Sequence, residues 1–195
     1  MARTRRNLTA WSGAALAALL LAGCTSEAPS PPPTPAPTTE SASPTPAPKA
    51  VVVAPARPAA MDDDGPAGAD AAATYFLMYE PYMQMTNETG PWEAMSHEAC
   101  AFCSARLQQA NTIADNGYTF EGGVSAATVT HTYEQDHTTG IWPIDVDITR
   151  KPTIVTSSTG DPVLQEEGGT DKLRVEIIHS DDGWQVVNVA VQPAQ

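Results

Sequence analysis

The chain is poor in cysteine, in basic residues and in long apolar runs, and each shortage excludes something. Three cysteines in 195 residues can supply one bridge, not a framework that holds a domain together. Lysine occurs three times, and Lys and Arg together number 10 against 23 Asp and Glu, giving a formal net charge of −13. So acidic a chain is a poor partner for nucleic acid or anionic lipid headgroups. The apolar run from Ala10 to Ala22 is interrupted by Ser12 and Gly13, and it falls short of the roughly 20 residues a membrane-spanning helix needs. Also missing are a glycine-rich phosphate loop, a metal-ligand set and any Ser-His-Asp order that stands out, so no cofactor, metal or catalytic residue is expected.

What is present begins with an address. Arg3, Arg5 and Arg6 precede the short apolar run, which ends in Leu21-Ala22-Gly23-Cys24; a positive start, an apolar middle and small residues at the end form a secretory signal. The four-residue motif resembles the lipobox of bacterial lipoproteins. That resemblance implies a diacylglyceryl group on the Cys24 thiol, with cleavage making Cys24 the new N-terminus. Two acyl chains supply the two signals stable anchoring requires. Thr4-Arg5-Arg6-Asn7-Leu8 is also a partial twin-arginine pattern, so the export route stays open between the general and the twin-arginine pathways. Removing residues 1–23 takes three arginines and no acid, which moves the formal charge from −13 to −16.

Between Thr25 and Pro66 stand 12 of the 18 prolines, mixed with Ala, Ser and Thr. Such a composition cannot build a core. Extended polyproline geometry would give it a reach of about 130 Å. Residues 24–66 are therefore expected to be a disordered stalk, with Asp62-Asp63-Asp64 as its solvated boundary. Residues 67–195 are the size of one ordinary domain.

Within that domain Ala69, Ala72, Phe76, Tyr79 and Met83 recur at steps of three and four, the period of an amphipathic helix. Pro81 should kink or divide it. Ser96 is expected to cap a second helix whose core stripe is Cys100, Cys103, Leu107, Ala110 and Ala114, with Asn116-Gly117 as its stop. The period then changes to two. Strands are expected over Val124 to Glu134, with Val129, His131 and Tyr133 on one face; at Ile144, Val146 and Ile148, with Asp145 and Asp147 on a solvated face; at Leu173, Val175 and Ile177; and from Trp184 to Val191. Helices first and hairpin-linked strands afterwards predict an α+β domain: two or three N-terminal helices on a curved antiparallel sheet of about four strands.

Cys100-Ala101-Phe102-Cys103 is the most suggestive chemical motif. In an exported protein this spacing, in the first turn of a helix, is expected to form a structural disulfide. A thiol-disulfide active site and a metal site recruiting His97 are the competing readings. Both lack the neighbouring residues they need. The aromatic and thioether residues Tyr75, Met78, Tyr79, Tyr82, Met83 and Met85 suit core packing or an apolar ligand cleft. A candidate pocket is drawn from Tyr79, Met83, His131 and Tyr133.

Thr89-Gly90, Met95-Ser96, Cys100-x-x-Cys103, Asn116-Gly117 and Glu121-Gly122-Gly123, behind a lipobox and a Pro/Thr stalk, resemble an uncharacterised family of actinobacterial lipoproteins. Pro91 stands where that family usually has an acidic residue. The domain also resembles the nuclear transport factor 2-like cone, whose members bind small molecules, host isomerases and dehydratases, or serve as interaction modules. The resulting expectation is a lipid-anchored protein on the extracytoplasmic face of the cell membrane. It would be noncatalytic and would bind an envelope protein or a small ligand. A cone-pocket enzyme and a surface thiol oxidoreductase are the alternatives.

Overall fold

The computed structural model describes residues 52–193. The leader, Cys24 and most of the expected stalk lie outside the described residues. Ordered structure begins ahead of residue 67. A single 3-10 turn at Ala59–Asp62 buries Met61, whose carbonyl accepts the Trp184 indole N–H at 3.2 Å. The last residues assigned to the stalk are thus sealed onto the domain by one thioether in an otherwise small and polar segment. Asp62, Asp63 and Asp64 are exposed as expected; Asp62 pairs with Arg57 at 2.7 Å, and Asp63 accepts the Gly65 N–H at 2.7 Å.

Helix α1, Pro66–Thr86, has Pro in its first turn and ends where Asn87 turns left-handed at φ 58°, the usual geometry of both termini. Its expected stripe is buried: Ala69, Ala72, Phe76, Tyr79 and Met83 are all at most 4% exposed. Pro81 does not divide the helix. It is buried in a continuous α1 and packs against Gly123. The short helix α2, Gly90–Ala94, delivers Trp92, which stacks on Phe76 with ring centroids 3.8 Å apart. Burying each of these large side chains contributes about 1.5–3 kcal/mol.

Helix α3 spans Ala101–Asp115 and is capped by Cys100, not by Ser96. The Cys100 sulfur accepts the Cys103 N–H at 3.1 Å, while Ser96 sits in a parallel β-bridge with Val186. Residues 95–97 are held outside the helix by that pairing, through His97 N–H to the Val186 carbonyl at 3.0 Å and Val186 N–H to the Met95 carbonyl at 2.7 Å. Cys100, Cys103 and Ala110 face the core as expected, but Ile113 is buried where Ala114 was expected. Gly117 at φ +63° follows the helix stop.

Five antiparallel strands follow: β1 Thr119–Thr132, β2 Trp142–Thr156, β3 Pro162–Glu166, β4 Gly169–Ser180 and β5 Gly183–Val191. Their order is β1-β2-β4-β5, with β3 paired to the far end of β2 beyond β4. The alternation of Ile144, Val146 and Ile148 with half-buried aspartates, and of Leu173, Val175 and Ile177 with charged neighbours, places one face of the sheet against α1 and α3. This is the expected α+β architecture, with the helices on one face of a curved sheet.

Glycine and proline interrupt neither of the first two strands. β1 begins at Thr119 and runs through Gly122 and Gly123, both at positive φ, with a register shift between Glu121 and Gly123. β2 likewise runs through Pro152. The two irregularities face each other, since a side chain at Gly122 would place its first carbon 2.1 Å from the Pro152 carbonyl oxygen. A bulge opposite a residue with no N–H bends both strands without breaking the pairing.

Candidate functional site

The bend opens a cleft of about 380 Å³ between the helices and the sheet. Its walls follow from the elements just described. α1 supplies Leu77 and, one turn on, Glu80; α3 supplies Phe102, Arg106 and Gln109, which share one helical face. The sheet provides an apolar floor from Phe120, Val124, Ile148 and Leu173. Arg150, Thr153, Glu166 and Glu167 add polar groups to the lining.

Glu80 is the chemical centre of this cleft. It is 7% exposed and accepts no hydrogen bond among the described residues. Its nearest charge is Arg106, whose Nε lies 3.8 Å from Oε1, an ion-pair distance but too long for a hydrogen bond. Burial pushes its carboxyl above the usual glutamate range; Arg106 and then Arg150 pull it back, and Glu166 raises it further. Both guanidiniums are already engaged. Arg106 donates to Gln109 Oε1 at 2.8 Å and lies 5.4 Å from the centre of the Phe102 ring, while Arg150 donates to Asp171. Gln84, buried beside this region, ties α1 to α3 through a 2.9 Å bond from its Nε2 to the Arg106 carbonyl.

Tyr79, Met83, His131 and Tyr133 do not form the pocket drawn from them. Tyr79 and Met83 lie in the core; the Tyr79 hydroxyl donates to the Glu88 carbonyl at 3.0 Å, and burial, with Tyr75, Tyr82 and Glu88 nearby, pushes its pKa up to about 12. His131 and Tyr133 are exposed, with rings in edge contact at 4.2 Å. A register shift between Val129 and His131 separates them from Val129, which packs against the core. Tyr133 instead belongs to a cluster around Asp145. Its hydroxyl donates to Asp145 Oδ2 at 3.1 Å and accepts from Arg174 at 3.0 Å, and Gln192 also donates to Asp145. Asp145 is therefore not a free solvated carboxylate. Its side chain is 16% exposed, and the Arg174 hydrogen bond holds its pKa below the usual aspartate range.

Cys100 and Cys103 stand at disulfide distance, with Cα atoms 5.2 Å apart, and are 2% and 1% exposed. Glu80 escaped the sequence reading because glutamate is ordinarily a solvent residue. The available signal was its spacing, four after Phe76 and three after Leu77, which puts a carboxylate on a buried stripe. Among the described residues no group of three His, Cys, Asp or Glu is placed to hold a metal ion. No helix among them is long and apolar enough to cross a membrane.

None of the curated proteins compared with the chain matches it. Among solved structures it is similar to the intermembrane space region of chloroplast protein ARC6, at 10% identity and a TM-score of 0.54, covering 67% of this chain and 98% of that one. The likeness is one of fold. The β subunit of a benzoate 1,2-dioxygenase from Burkholderia mallei matches at 10% identity and TM-score 0.38, covering 60% of this chain and 84% of that one. An Ntf2-like protein involved in plasmid conjugation matches at 10% and 0.34, covering 66% and 49%. A model of the DUF6318 family, a family of unknown function, matches residues 36–190, well over half of the chain, and the protein therefore belongs to that family.

Proposed function

We propose that this protein is a lipid-anchored component of the cell envelope, held at Cys24, whose domain binds a small ligand in the cleft around Glu80 without transforming it. The observation that supports the reading is a nine-tenths-buried carboxyl with no hydrogen-bond partner, set among apolar side chains. A donor brought by a ligand would complete the carboxyl's hydrogen bonding, and apolar walls would bury the ligand's remainder. The lining includes no Cys, His, Lys or Ser, and the Thr153 hydroxyl accepts the Gly123 N–H at 3.1 Å, so the nucleophile type that the lining offers is the carboxylate. A carboxyl with a raised pKa is also the equipment of a general acid, which favours a cone-pocket enzyme as the second reading. The thiol oxidoreductase has less support, since both sulfurs are buried.

Mass spectrometry of the protein released from its host's envelope tests both parts of the proposal. Under denaturing conditions Cys24 is expected to carry a diacylglyceryl group at the mature N-terminus, and an unmodified Cys24 removes the anchor. Under native conditions a noncovalent small-molecule adduct is expected, lost when Val124→Trp fills the cleft. An adduct that survives this substitution, or one turned over during incubation, defeats the noncatalytic cleft reading.

A further inference from the structure

The carboxyl without a hydrogen-bond donor also specifies what the ligand must bring, provided that the cleft is the binding site. We infer that the cleft selects an organic cation, an ammonium nitrogen on an apolar body, with Glu80 as its counter-ion. Glu80 needs a donor, not an acceptor, because its oxygens accept no hydrogen bond and Arg106 stands 3.8 Å away. An anionic ligand would have to compete with partners the two guanidiniums already have: Arg106 with Glu80, Gln109 and the Phe102 ring, Arg150 with Asp171. The charges decide between a neutral donor and a cation. Glu80, Glu166 and Glu167 face the cleft against Arg106 and Arg150, and Asp171 offsets the latter. The balance is negative. Phe120, Leu77 and Ile148 in the lining accept the apolar body.

The test is titration of the purified mature chain with three probes of equal length, hexylammonium, hexanol and hexanoate, followed by amide chemical shifts of cleft residues in wild type and Glu80→Gln. Hexylammonium is expected to bind tightest. It should lose about tenfold or more in Glu80→Gln, the usual worth of a hydrogen bond to a charged group, while hexanol binding to the same variant is unchanged and shows the cleft intact. Hexanoate binding as tightly as hexylammonium, or hexylammonium unaffected by Glu80→Gln, overturns the cation assignment and leaves the binding cleft standing. No shift with any of the three probes overturns both.

Discussion

Pro81 of α1 and Gly123 of β1 are packed so closely that a side chain at position 123 would set its first carbon 2.9 Å from the Pro81 Cβ. The contact fixes the helix against the bulged end of the sheet, at the wall of the cleft. Gly123 also has φ +82°, a conformation that costs an L side chain roughly 1–2 kcal/mol.

Gly123→Ala is accordingly expected to destabilise the domain by about 2–4 kcal/mol, the backbone cost plus that of overpacking. Urea denaturation measures it. A loss below 0.5 kcal/mol would mean that the bulge can be rebuilt and that the Pro81 contact is not what holds it.

At the start of α3, replacing Cys100 and Cys103 together by Ser is expected to cost about 2 kcal/mol, the chain-entropy value for so short a loop. The domain should still fold. In the wild type the pair should resist mild reductant and alkylation, because the sulfurs are 2% and 1% exposed. Rapid labelling of Cys100 would return the thiol oxidoreductase to consideration.

The cluster around Asp145 gives an opposite acid response to the one expected in the cleft. Its pKa is lowered first by the Arg174 hydrogen bond, with Tyr133 and Gln192 adding to it. The stabilisation is therefore full above the unfolded value of about 3.9 and is lost as pH falls through the lower folded value. Asp145→Asn should remove this acid limb and cost about 1–2 kcal/mol at neutral pH, since Arg174 at 34% side-chain exposure keeps partial access to water.

Legibility in the sequence followed the range of the interactions. The α1 stripe and the alternation in β2 and β4 are local periodicities, and each buried one face as read. The cap of α3 was misplaced because the force that excludes Ser96 from the helix is its pairing with Val186, a contact 90 residues away. β3 offers no such signal. Val163 is 53% exposed, and the strand exists because β2 runs on through Pro152 and presents free pairing groups to it. The cleft is of the same kind. Glu80, Arg106 and Arg150 come from three separate elements, and only the closure of helices over a bent sheet places them together.

Glu80 then allows the fold and the site to be tested with one titration. Its carboxyl is raised mainly by burial, and the charged groups facing it are Arg106 on α3, Arg150 on β2 and Glu166 on β3. A folded pKa above the unfolded value of about 4.3 means that the native state holds its proton longer than the unfolded chain does. The contribution to stability is thus most favourable below the unfolded value. It declines as pH rises towards the folded value, beyond which the buried charge exerts its full cost. Glu80→Gln keeps the shape and removes the titration, so the variant should be more stable than wild type at pH 7 and lose that advantage near pH 4. Denaturation midpoints across this range give the answer: parallel curves would mean that Glu80 is solvated in solution and that the cleft has no unsatisfied carboxyl to offer a ligand.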